Sequence, residues 1–155
     1  MRRVAWSTAI SLVTLAVASP GFAKAPADQI TIRGPGLGDP VEIVDPHILD
    51  LFNPWTGQFL GEVVEERRAS ISQPYDVMFL LRRAAGEPSV IYGFDYHPGC
   101  GHGPGYIRLP SSDEEQGVIN RQTIIRTTDG RWHQAARAWE ELMADQLDPV
   151  AQPGC

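Results

Sequence analysis

Two cysteines in 155 residues are too few for a disulfide framework, so the fold must rest on a hydrophobic core. No Cys-x-x-Cys-His occurs, which excludes covalent c-type haem attachment. No Gly-x-Ser-x-Gly elbow is present either, although a serine-based triad need not be close in sequence. The glycines at 34, 36 and 38 lack a following Lys-Ser/Thr, and Pro35 and Pro40 remove two backbone donors. That stretch therefore reads as a turn and not as a phosphate cradle. Internal repeats, low-complexity tracts and linkers are also missing. Basic residues are in deficit, 13 against 19 acidic, for a formal charge of −6. The basic doublets, Arg67-Arg68 and Arg82-Arg83, do not lie among stacked aromatics, so nucleic acid is disfavoured as a partner.

The N-terminus supplies the strongest positive signal. Arg2 and Arg3 precede "VAWSTAISLVTLAVA", an uncharged apolar run from Val4 to Ala18, and Pro20-Gly21 breaks it. Gly21 and Ala23 then stand at the −3 and −1 positions for cleavage before Lys24. This is the layout of a secretory signal peptide. An uncleaved anchor is the rival reading, but a membrane span needs about 20 apolar residues. No cysteine follows the run, which argues against a lipoprotein anchor. The expectation is an exported protein, secreted or periplasmic, with no transmembrane span after cleavage near Ala23. Cleavage removes two arginines and no acid, leaving 11 basic against 19 acidic residues, or −8. The divisions read as signal peptide over 1–23, one domain over 24–148 and a tail over 149–155. A mature chain of about 132 residues suits one domain.

Period-two alternation of apolar residues marks the strands. Ile30 and Ile32 in "DQITIRG" and the following "VEIV", 41–44, predict a hairpin or bent strand. Asp45 as N-cap with Pro46 at the first helical position predicts a short helix near 46–52. "PWTGQFL" reads as a loop with Trp55 and Phe59 against the core, and "EVVEERR" as either a strand or a turn of helix. In "YDVMFLLRR" Tyr75, Val77, Phe79 and Leu81 share a face, as do Val90, Tyr92, Phe94 and Tyr96 in "VIYGFDYH". With "AAGEP" between them they form a hairpin. "GYIRL", 105–109, and residues 122–127 give further strands before the Asp129-Gly130 turn. Trp132 to Leu147 follows helical spacing over 136–146, while "RWHQ" suits an edge strand equally well. The predicted class is α+β: an antiparallel sheet of about five or six strands with one main C-terminal helix.

"ITIRGPGLGDPVEI", "LFNPWTGQFL", "GPGYIRLP" and "DGRWHQA" with "AWEELM" together resemble a group of small bacterial exported or membrane-anchored domains. The resemblance runs from about residue 28 to 143. It implies a single exported domain, contains no catalytic motif and brings no established activity. The loop before "GPGYIRLP" varies in that group, so its residues must be read on their own chemistry.

That loop, "YHPGCGHGPGYIRLP", concentrates the candidate chemistry. Strand alternation puts Asp95 and His97 on one side of the sheet, away from the aromatics, and Cys100 and His102 follow. These imidazole, thiolate and carboxylate donors suit zinc or copper, with Gly99, Gly101 and Gly103 letting the backbone fold them inward. Structural zinc sites usually draw ligand pairs from two separate places, whereas this is one cluster and His47 and His133 are isolated. The same sulfur has a second use, because two cysteines in an exported chain normally pair. A Cys100–Cys155 disulfide would contribute about 4 kcal/mol in the chain-entropy account. A Cys100 thiolate paired with His97 or His102 is a third reading, though an oxidising compartment consumes such thiols. Acidic runs at Glu65-Glu66, Asp113 to Glu115 and Glu140-Glu141 read as solvated faces and turns. The reading that results is a non-enzymatic binding or interaction module of the cell envelope, with no cofactor and an envelope or extracellular ligand. A metal-binding protein using His97, Cys100 and His102 is the alternative. A deep cleft with convergent titratable groups would count against the first.

Overall fold

The computed structural model describes residues 26–65, 73–82, 87–100, 103–121 and 130–147. The expected signal peptide over 1–23, the expected strand over 122–127 and the expected tail over 149–155 fall outside the described residues. Among the described residues, seven strands and three helices follow in order: β1 (Gln29–Arg33), β2 (Val41–Ile43), α1 (Pro46–Leu51), β3 (Leu60–Val64), β4 (Tyr75–Leu81), β5 (Ser89–His97), β6 (Tyr106–Arg108), α2 (Glu115–Asn120), β7 (Trp132–Ala135) and α3 (Arg137–Gln146). The strands make one antiparallel sheet in the order β2-β1-β4-β5-β6-β7-β3. The α+β class is as the sequence indicates, with more strands than the five or six expected. β3 and β7, both ambiguous in sequence, pair with each other. "RWHQ" belongs to an interior strand, since β7 lies between β6 and β3.

The apolar alternation becomes the inner face. Ile30 lies opposite Ile43 on one side and Phe79 on the other, and Ile32 opposite Val41 and Val77. Phe79 faces Tyr92, Val77 faces Phe94, and Tyr75 faces Tyr96. All of these residues except half-buried Val41 are nearly inaccessible. Over them pack Leu49 of α1, Phe52, Phe59, and Trp139, Leu142 and Met143 of α3. Phe59 lies at the centre, stacked on Phe94 at 4.9 Å and within 6.0 Å of Trp139, while Phe52 meets Trp139 edge-on at 5.1 Å. Pairs of this kind add to the value of the buried area. Trp55 is only half-buried; its N–H is held by the Asn53 side chain at 2.9 Å in the turn that delivers Phe59.

Local signals explain the helices unequally. Asp45 caps α1 as expected, accepting the His47 N–H at 2.8 Å. α3 follows directly from β7, and Ala136 donates its N–H to the Phe59 carbonyl at 2.9 Å. Glu140, read from sequence as solvated, is half-buried and accepts the Gly105 N–H, tying α3 to the segment before β6. Burial, then Glu140 and Tyr75, push the neighbouring Tyr96 hydroxyl far above its ordinary pKa.

α2 is the element the sequence did not announce, and it covers the other face of the sheet. Between the pairs Phe79–Tyr92 and Leu80–Val90, β5 carries one extra residue, Ile91. That bulge turns Val90 away from the aromatics it was expected to join and sets it beside Met78 on the outer face. β6 ends opposite Asp95, so β5 continues past it. Asn120, fully buried, supplies what a longer β6 would have given: its Oδ1 accepts the Gly93 N–H at 2.9 Å and its Nδ2 donates to the Gly93 carbonyl at 2.7 Å.

Candidate functional site

An open groove of about 430 Å³ lies on the outer face, between β4, β5, β6 and α2. Its apolar lining comes from Met78 and Val90 of the sheet, Pro110, and Ile119 of α2. The charged lining is Asp76, Asp95 and Arg108 from three adjacent strands, with Glu114 and Glu115 at the start of α2. Strand parity puts the first three on one side: Asp76 is opposite Asp95, and Asp95 is opposite Arg108.

Arg108 is the hub. Its guanidinium reaches Asp95 Oδ2 at 3.1 Å and Glu114 Oε1 at 2.6 Å. Glu114 also accepts the Ser111 N–H at 2.9 Å and the Ser111 hydroxyl at 2.8 Å. The Arg108 hydrogen bond, followed by those from Ser111, brings the Glu114 carboxyl down to about 2. Glu114 in turn raises the Arg108 guanidinium above its ordinary value. Asp113 is lowered by the Ser111 hydroxyl. Asp76 moves the other way: desolvation, then the charge of Asp95, raise it, against a smaller opposing pull from Arg33. Although Asp76 presents ample surface to solvent, the packing around its carboxyl still costs hydration. Among the described residues Asp76 makes no ion pair and no side-chain hydrogen bond.

The candidates from sequence are distributed differently. Asp95 and His97 do share the outer face, as alternation requires, but Asp95 is engaged with Arg108. His97 is 8% exposed with its ring 4.7 Å from that of Trp132. The Cys100 carbonyl accepts the Gly103 N–H at 2.9 Å, and Cys100 is not a free cysteine. His102 and Cys155 lie outside the described residues. Among the described residues no group of three His, Cys, Asp or Glu is placed to hold a metal ion. His47 is exposed on α1, whereas His133, isolated in sequence, is buried on the inner side opposite Ile107 and Val63. Arg108, Asp76 and Glu114 were missed as site residues. The available signal was parity: Asp76 and Asp95 both occupy outward positions of the two strongest strands. Among the described residues no helix is long and apolar enough to cross a membrane.

No family model, curated protein or solved structure matches this chain.

Proposed function

We propose that this chain is an exported, non-enzymatic binding module of the cell envelope, with the groove over β4, β5 and β6 as its ligand face. The observation behind this reading is the composition of the groove. A concave surface with an apolar floor and a few convergent polar groups is the usual form of a small-ligand or side-chain site. Three of its charged groups hold one another, Arg108 between Asp95 and Glu114, which suits orientation of a ligand. Among the described residues, none that lines the groove is a serine, cysteine, histidine, lysine or tyrosine. The groove does gather titratable groups, with carboxylates on the sheet and on α2, so hydrolysis is the activity the test must exclude.

Export rests on the signal-like N-terminus. The pairing of Cys100 with Cys155 rests on the compartment argument and on Cys100 not being a free cysteine. Such a bond ties Cys155 to the segment after β5.

The test uses protein recovered from the exported fraction. Mass spectrometry should show an N-terminus near Lys24, non-reducing peptide mapping should show the Cys100–Cys155 link, and elemental analysis should show no stoichiometric metal. Titration with peptidoglycan fragments, oligosaccharides and charged peptides should perturb the Met78, Val90 and Ile119 signals without product formation. Turnover lost in Asp76→Asn or Asp95→Asn overturns the non-enzymatic reading. A bound metal lost in His97→Ala and His102→Ala overturns the assignment of the ligand face.

A further inference from the structure

Resting on the groove being a ligand site, we propose that its occupant is the ammonium-tipped side chain of a lysine presented by a partner polypeptide. Charge and shape lead there together. Arg108, the groove's cation, is already shared between Asp95 and Glu114. Asp76 and Glu115 are left over, so the lining carries an excess of negative charge. Like charges directly opposite on neighbouring strands destabilise a sheet, yet Asp76 and Asp95 are so placed, and Arg33, opposite Asp76 on β1, offsets this only in part. A cation between them removes that cost.

The shape selects a long stem. Met78, Val90 and Ile119 offer an apolar strip beside the two aspartates, and methylene stems lie along such strips while the charged head stays polar. The carboxylates come from two strands. A compact ammonium with three donors can be shared between them and needs no planar match to either carboxylate. Because the groove is open to solvent, the backbone bearing that side chain can remain outside. The excess of acid over base in the chain adds long-range attraction for a basic partner.

The experiment titrates the isotope-labelled exported protein with acetyl-Ala-Lys-Ala-amide, its norleucine analogue and 1,5-diaminopentane, reading the Met78, Val90 and Ile119 methyl signals. The lysine peptide is expected to bind about fivefold more tightly than the norleucine peptide, an advantage that added salt reduces. Asp76→Asn is expected to remove that advantage, and Asp50→Asn, a matched charge change on exposed α1, to leave it intact. Equal binding of the lysine and norleucine peptides overturns the cation while leaving the groove as a ligand site. Tighter binding of the free diamine overturns the polypeptide source. Silence of the groove methyls toward every probe, the envelope fragments included, removes the ligand site itself.

Discussion

Asp76 and Asp95 face each other directly across β4 and β5, and Arg108 on β6 reaches Asp95 at 3.1 Å. The sheet thus places two carboxylates side by side and binds an arginine to one of them. Asp76 is raised by burial and by the charge of Asp95, so the folded chain holds its proton more tightly than the unfolded chain does.

A stability gain from Asp76→Asn follows. A folded-state pKa above the unfolded value means that stability falls as pH rises through the carboxylate range. The amide removes that loss. At neutral pH the variant is expected to be more stable by about 0.5 kcal/mol, typical of relieving a like-charge cross-strand pair. The difference should vanish in acid, where the wild-type carboxyl is protonated in both states. Urea denaturation at several pH values measures it, and a less stable variant at pH 7 contradicts the account.

Glu114 gives the opposite sign. Its carboxyl is lowered from 4.5 to about 2, chiefly by Arg108 and then by Ser111. The stabilisation is therefore present above 4.5 and is lost as pH falls from there toward about 2. Glu114→Gln should cost about 1 kcal/mol at neutral pH, a value kept small because the pair is part-exposed and screened. Its acid unfolding limb should be shallower than that of the wild type. An unchanged limb would show that Arg108 contributes nothing through this contact.

Gly117 tests how α2 is seated. Alanine is the better helix former by about 1 kcal/mol, so an exposed helical glycine gains stability on this change. Here a Cβ would lie 1.7 Å from the Ser111 carbonyl oxygen, a backbone atom. Gly117→Ala is expected to destabilise by about 2 kcal/mol as the helix is pushed off its turn. Thermal unfolding decides the sign.

Asn120 tests the anchor of the same helix. Asn120→Ala leaves the Gly93 N–H and carbonyl without their partners at 2.9 and 2.7 Å. Two unsatisfied groups in a buried position should cost about 3 kcal/mol. Hydrogen exchange at the Gly93 amide should accelerate well beyond that of Ile30 on β1. Equal protection in variant and wild type would mean that β5 is held by something else.

Much of the inner layer was legible because its signals are local. The Asp45-Pro46 start of α1, the parity of Tyr75, Val77 and Phe79, and the helical spacing of Trp139, Leu142 and Met143 each depend on near neighbours in the chain. The same parity, read for the other face, points Asp76, Asp95 and His97 outward. It does not say that Asp95 takes Arg108 while His97 packs against Trp132. α2 escaped because its six residues offer one buried polar side chain and a glycine instead of an apolar stripe.

The sequence alone determined the class of fold, the strands of the central hairpin and the parity that separates aromatic from acidic residues, because alternation along a strand is a property of consecutive residues. Tertiary structure decided the rest. The extra residue in β5, which moves Val90 to the outer face, depends on how two strands pair. The groove exists because Asn120 fills the ladder beyond the end of β6 and Gly117 lets α2 close on Ser111. Asn120 and Gly93 are 27 residues apart along the chain, and the approach of Gly117 to Ser111 is set by how α2 packs on the sheet.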